Sequence, residues 1–322
     1  MFMTSRFFNI GASLILGATA SAAWAAEPGA ASLDTQSSST AVTQASPVEP
    51  SAPADASDVS ALAEQPGAPA PADQPGAPAA FVPKGSIDVG LSFESLTAGY
   101  QNWNSQFVRG VYASSPSNTW NWEVVHAREF GKQGALFVGG NTHVINDDWY
   151  VSTFLNTSAG GFFLPRYRAD ATLHRKLLEP RNLVIGVGFS TVKAKDVHRD
   201  NAVLLNAAYY FKFPLVLEGN VRLTNSNPGS VRTNYYTMAF TYGREKERYI
   251  SLSYALGREG YQLVGDTAGG GASALVNFRS HTALLTWREW TGRDWGFQAR
   301  AGSYGNSYYR RAGGELSLFK DF

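Results

Sequence analysis

The run Ile87-Asp88-Val89-Gly90-Leu91-Ser92-Phe93-Glu94 carries an apolar side chain at every odd position and a polar residue or glycine at every even one. Successive side chains of an extended chain point to opposite faces, so this run has one apolar and one polar face, as a β-strand does. The pattern recurs down the chain. Leu183, Ile185, Val187 and Phe189 share a face, as do Tyr236, Met238, Phe240 and Tyr242, and then Ile250, Leu252, Tyr254 and Leu256. Leu215, Leu217, Val221 and Leu223 alternate with Glu218, Asn220, Arg222 and Thr224. No helical stripe of comparable length competes with this period of two.

A soluble sandwich turns such an apolar face inward, whereas a transmembrane barrel turns it outward to lipid and keeps polar groups inside. Runs of about 10 residues match a tilted bilayer crossing. The polar face holds full charges and many glycines, which suits a wet lumen. Aromatic residues gather at segment ends, as at Trp120/Trp122, Trp149/Tyr150, Tyr209/Phe211, Trp287/Trp290 and Tyr308/Tyr309, in the manner of interfacial girdles. The chain ends Leu316-Ser317-Leu318-Phe319-Lys320-Asp321-Phe322. Leu316, Leu318 and the terminal Phe322 resemble the signal read by the barrel-assembly machinery, with Lys320 where that signal usually has an aromatic. The expected fold is all-β, an antiparallel transmembrane barrel of 12–14 strands over residues 84–322. Fourteen strands place long connections (194–200, 225–230, 258–272) at one end and short ones (146–148, 213–214, 291–294) at the end holding the termini. Twelve remain open because alternation slips between Phe278 and Ala283, where a bulge can hide.

The rest of the chain is of another kind. Met1 to Ala25 has a basic n-region, an apolar stretch Phe7–Ala20 too short to span a bilayer, and Ala23-Trp24-Ala25 as a small-x-small cleavage pattern, so a Sec signal peptide ending at Ala25 is expected. Residues 26–83 hold ten of the 15 prolines, no aromatic before Phe81 and seven acids without a base. Such composition cannot offset chain entropy by burial, so a disordered periplasmic linker is expected, serving as a passive spacer or as an arm engaging the cell wall. The absence of cysteine excludes disulfides, thiol nucleophiles and Cys-ligated metals. These features place the protein in the outer membrane of a Gram-negative bacterium, with the N-terminal arm in the periplasm.

Residues 84–322 resemble the YaiO-type outer-membrane β-barrel family. The resemblance rests on Gly99-Tyr100-Gln101-Asn102-Trp103, on Phe162-Phe163-Leu164-Pro165-Arg166-Tyr167-Arg168-Ala169-Asp170, and on Leu183 to Phe189 followed by Tyr209-Tyr210-Phe211. It implies a place in exopolysaccharide or cellulose export, where related barrels often follow periplasmic helical repeats. Here a Pro/Ala arm stands in that position. The resemblance implies no catalytic residues.

Reading the polar face strand by strand puts Asp88, Glu94, Arg109, Glu123, Asn141, His143, Arg168, Asp170, His174, Asn206, Glu218, Asn220, Arg222, Arg300, Arg311 and Glu315 inward. Ten of these are the lumen and selectivity candidates: Arg109, Glu123, Arg168, Asp170, His174, Glu218, Arg222, Arg300, Arg311 and Glu315. Bulky Tyr210, Phe137 and Phe154 face inward by the same parity and can plug the path. Residues 84–322 carry 26 bases against 19 acids. Placed in the lumen, that excess favours anionic solutes or glycans. Placed on the rims at Arg166, Arg175, Lys193, Lys195, Arg199, Arg232 and Arg258, it favours lipopolysaccharide phosphates. No cofactor, metal, nucleic acid or catalytic residue is expected. Asp196, His198 and Asp200 sit on a charged loop at a spacing poor for a metal, and none of the five histidines lies in a hydrolase motif. The leading expectation is a pore or export channel associated with cell-surface polysaccharide. The alternative is a non-conducting surface-binding barrel, a partner or phage receptor tethered to the wall. A barrel enzyme is a weaker third reading.

Overall fold

The computed structural model describes residues 81–179, 181–263 and 274–322. The expected signal peptide at 1–25 and nearly all of the linker expected at 26–83 lie outside the described residues. Fourteen strands follow in order: β1 Lys84–Leu96, β2 Trp103–Ser115, β3 Asn118–Glu129, β4 Lys132–Val144, β5 Trp149–Gly160, β6 Tyr167–Leu177, β7 Leu183–Lys193, β8 Arg199–Tyr210, β9 Leu215–Asn227, β10 Val231–Arg244, β11 Arg248–Leu263, β12 Ala274–Trp290, β13 Trp295–Asn306 and β14 Arg310–Asp321. Each pairs antiparallel with its sequence neighbours, and β1 closes on β14 in a register running from Ser86↔Asp321 to Leu96↔Arg311. Closure leaves no strand edge unpaired, the condition for a sheet to cross lipid.

Alternation decides the faces. Val89, Leu91 and Phe93 of β1, Val187 and Phe189 of β7, and Leu252, Tyr254 and Leu256 of β11 all stand exposed on the outer wall. The exposed tryptophans Trp120, Trp122, Trp287 and Trp295 all lie toward the end that holds both termini. The opposite end, the loop end, carries the connections 97–102, 130–131, 161–166, 194–198, 228–230 and 307–309. One of these is a two-residue hairpin in which Phe130 and Gly131 both have positive φ. A phenylalanine there costs on the order of 1 kcal/mol. Its ring offsets that cost by packing edge-on to Trp103 at 4.9 Å and stacking on Phe162 at 6.0 Å.

Three expectations need correction. The slip between Phe278 and Ala283 hides no bulge: β12 pairs without a register shift from Ala274 to Trp290, and twelve strands are excluded. The only register shift recorded in the described ladders lies at Ala113/Ser115 of β2. The connection expected at 225–230 shrinks to three residues because β9 runs to Asn227, and part of the one at 258–272 is strand because β11 runs to Leu263. Finally, β4 faces the other way. Its partners set Glu123 opposite Val138 and Val125 opposite Leu136, so Leu136 and Val138 point inward and Phe137, Asn141 and His143 point outward.

Candidate functional site: the lumen

The ten lumen candidates all point inward and fall into three groups. On one wall Arg109 binds Asp88 at 3.2 Å and Glu315 at 2.9 Å, and Arg300 binds the other oxygen of Glu315 at 3.3 Å. Glu123 stands directly across from Arg109 on β3. Arg288, which sequence reading missed, holds Asp88 at 3.1 Å and lies over the Phe319 ring at 3.5 Å. Gln298 turns its amide oxygen to Arg109 and Arg300. This wall is a closed lattice of alternating charge.

Toward the loop end, Arg311 binds Glu94 at 3.4 Å and lies over Trp103 at 4.7 Å and Tyr304 at 5.3 Å. The Tyr304 hydroxyl donates to Glu259 at 3.0 Å. Trp103, Tyr304 and Tyr309 form a buried cluster with Leu96. Beside it the connection between β5 and β6 turns into the barrel. Phe163 and Leu164, each 1% exposed, pack on Phe107, Val125, Ala127 and Leu136. This is why β4 faces as it does: the inserted segment needs apolar wall, so polarity no longer marks the inner face there.

The third group surrounds a cavity of about 90 Å³ on the side of β5 to β10. Arg168 binds Asp170 at 2.7 Å, and Arg222 donates to Ser190 at 3.0 Å. His174 stacks on Tyr150 at 4.4 Å and 6°. Glu218, Asn206, Asn220 and Tyr210 also line it. Arg168 is 2% exposed and Arg222 8%, yet Arg168 Nη1, Arg222 Nη1, Asp170 Oδ1 and His174 Nε2 have no protein partner. Gly186 keeps the space open, since a Cβ there would run into the Asn206 side-chain oxygen and the His174 ring. Of the bulky residues expected inside, Phe154 and Tyr210 line this cavity.

The lumen is not basic. Ten inward carboxylates, at Asp88, Glu94, Glu123, Glu129, Asp170, Asp200, Glu218, Glu259, Glu315 and Asp321, stand against nine inward bases, at Lys84, Arg109, Lys132, Arg168, Lys176, Arg222, Arg288, Arg300 and Arg311. The basic excess therefore sits on the rims. Arg166, Lys193, Lys195, Arg199, Arg232 and Arg258 are at or near the loop end, but Arg175 is toward the other end, over the Trp149 ring at 5.1 Å. Parity counted from Arg109 reaches Trp103 and Phe107, and counted from Arg300 reaches Tyr304, so the apolar filling was within reach of the pattern. At the C-terminus Leu316 and Leu318 face outward, and Phe322 stacks on Tyr112 at 6.5 Å.

A family model described as the YaiO membrane beta barrel domain matches residues 84–262. The chain belongs to the YaiO membrane β-barrel family. Solved structures similar to this YaiO-family chain include an anion-selective porin from Comamonas acidovorans, 9% identical over 75% of this chain and 99% of that one, with a TM-score of 0.43. Omp33 of Acinetobacter baumannii is 12% identical over 74% of this chain and 99% of that one, with a TM-score of 0.44. A KdgM porin in complex with disordered oligogalacturonate is 11% identical over 74% and 99%, with a TM-score of 0.39. No curated protein sequence matches the chain. It is a membrane β-barrel, and the solved structures similar to it include porins.

The loop between β7 and β8 ties the YaiO-family barrel's mouth together. Lys195 donates to the carbonyls of Gly160 and Gly161, clasping the base of the inserted segment. His198 bonds Asp196 through Nδ1 at 2.6 Å and the Gln262 carbonyl of β11 through Nε2 at 2.8 Å. Both partners are acceptors, so only the imidazolium satisfies both. Burial opposes that charge, but the bonds to Asp196 and Gln262 and the charges of Asp196 and Asp200 outweigh it and raise the His198 pKa above its ordinary 6.5. Lys193 reaches the carbonyls of Asp196 and His198, and the Tyr261 ring meets His198 edge-on. A raised histidine pKa stabilises the fold fully below about 6.5 and ceases to do so as pH rises through the folded value. Trypsin cleavage at Lys195 is therefore expected to accelerate several-fold as pH rises through that value, and a His198→Phe variant is expected to lose the pH dependence. A flat wild-type profile contradicts the latch.

Proposed function

We propose that this barrel is an outer-membrane export pore for a cell-surface polysaccharide, resting with its lumen narrowed and its termini end toward the periplasm. It performs no covalent chemistry. The observation that carries the reading is the division of the lumen between an inserted apolar segment, Phe162-Phe163-Leu164, and a polar cavity around Arg168, Arg222 and His174. Fourteen strands enclose more space than wall side chains alone fill in an eight-stranded barrel. An anchor needs no such width, whereas a path with a movable obstruction does. The lining also suits a sugar: the Tyr150 and Tyr210 rings offer apolar faces, while Asn206, Asn220 and the free guanidinium nitrogens offer bonds to hydroxyl and carboxylate groups.

In a strain lacking the gene, surface polysaccharide is expected to fall several-fold and polymer to accumulate in the periplasm. Re-expression of the native chain restores display, and an Arg168→Gln/Arg222→Gln variant that folds does not. Unchanged display in the deletion strain overturns the reading. The dense ion-paired wall of Arg109, Asp88, Glu315 and Arg300 favours a second reading, a filled barrel that does not conduct and presents its loops to a partner or phage.

A further inference from the structure

The outer wall near the loop end holds a juxtaposition that its own residues leave uncompensated. Arg258 of β11 and Arg279 of β12 are directly opposed across the ladder, both outward and exposed. Like charges directly opposed in a sheet destabilise it. Continuing the β10–β11 register from Tyr235↔Gly257 puts Arg232 beside Gly260, about 7 Å further along the wall than Arg258. No carboxylate answers them among the described outward positions of β9 to β13 in that half of the barrel. Glu259, adjacent to Arg258 in sequence, is turned inward and bound by Tyr304. The available neighbours are amides: Arg258 donates to Asn277 at 3.3 Å, and Asn234 stands between Arg232 and Tyr236 and donates to the Tyr236 hydroxyl.

We propose that Arg232, Arg258 and Arg279 form a phosphate-binding site for lipopolysaccharide of the outer leaflet, a placement that rests on the orientation proposed above. Neighbouring strands lie about 4.8 Å apart, so guanidinium groups from β11 and β12 can close on one phosphate with parallel N–H bonds. Outward arginines are tolerated near the membrane interface but not at its midplane. The position above the apolar wall of Leu252, Tyr254 and Leu256 puts the group at headgroup depth, with acyl chains against that wall. The exposed tryptophans lie toward the other end, and the exposed aromatics beside the loop end are the tyrosines Tyr167 and Tyr308.

The test uses the chain from Ala26 onward, purified in detergent and titrated with bisphosphorylated lipid A, dephosphorylated lipid A and inorganic phosphate. Bisphosphorylated lipid A is expected to raise the unfolding temperature, and the dephosphorylated lipid is not. An Arg258→Gln/Arg279→Gln variant is expected to bind lipid A at least about tenfold more weakly. Without lipid it is expected to unfold at a higher temperature than the native chain, because the repulsion is gone. Equal lipid A affinity in variant and native chain overturns the site, as does equal affinity for both lipids. Stabilisation by inorganic phosphate equal to that by lipid A overturns the lipid as occupant. Orientation is read separately with Val197→Cys, the one thiol in a chain without cysteine. Labelling by an impermeant maleimide on intact cells supports the placement. Failure to label overturns lipopolysaccharide as the occupant while lipid A binding by the purified chain still reports on the site.

Discussion

Replacing Arg109 with alanine is expected to lower the unfolding free energy of the barrel by about 3 kcal/mol, the lower end of the range for breaking a buried charge network from one side. The guanidinium is the bridge between Asp88 and Glu315, and its side chain is almost wholly enclosed. Removing it leaves each carboxylate with one remaining cation, Arg288 at 3.1 Å and Arg300 at 3.3 Å, which limits the loss. It also exposes Phe107, over whose ring the guanidinium lies at 4.5 Å. About 3 kcal/mol corresponds to roughly a hundredfold in the folding equilibrium, read as a lowered urea midpoint in lipid vesicles. Adding Glu315→Gln is expected to recover part of it, because the uncompensated charge rather than the missing contact carries most of the cost. A double variant no more stable than the single one contradicts that account of the wall.

Removing the Phe163 and Leu164 side chains together is expected to open the barrel. Both are buried against Phe107, Val125, Ala127 and Leu136, in a segment outside the strand ladders. A Phe163→Ser/Leu164→Ser variant loses on the order of 4 kcal/mol of apolar burial, so the segment has little reason to stay inside. Cells carrying it are expected to admit large hydrophilic antibiotics, with inhibitory concentrations several-fold lower than for the native chain at equal surface abundance. Unchanged inhibitory concentrations would mean that the segment is filling and not an obstruction.

The barrel was legible because lipid and water on opposite faces impose period two, and runs such as Ile87 to Glu94 carry it without exception. The inward position of Arg109, Arg168, Arg222 and Arg300 was legible for the same reason: a full charge in a strand that crosses lipid has one affordable side. The reasoning failed at β4, where Asn141 and His143 were set inward on polarity. The inner wall there faces Phe163 and Leu164 instead of water, so Leu136 and Val138 take it. It failed at Phe278 to Ala283 for a related reason. Arg279 and His281 lie outward in the loop-end half of β12, beyond the apolar band of the outer wall, while Phe278 packs inward on Tyr261. Whether the basic excess lines the lumen or the rims stayed open in the sequence, because a net charge says nothing about its distribution between faces. Acids of β1, β3, β11 and β14 face inward, and many arginines and lysines face out. What the sequence could not carry was the path of the connection at 161–166, which is decided by packing across strands.

Single-channel recording of the chain from Ala26 onward in a planar bilayer, with neutral and anionic oligosaccharides titrated in, tests the central claim most directly. The narrowed-pore account predicts small conductance steps that oligosaccharide interrupts, and steps several-fold larger for the Phe163→Ser/Leu164→Ser variant. A folded, heat-resistant barrel that conducts in neither form contradicts it and leaves the surface-binding reading in its place.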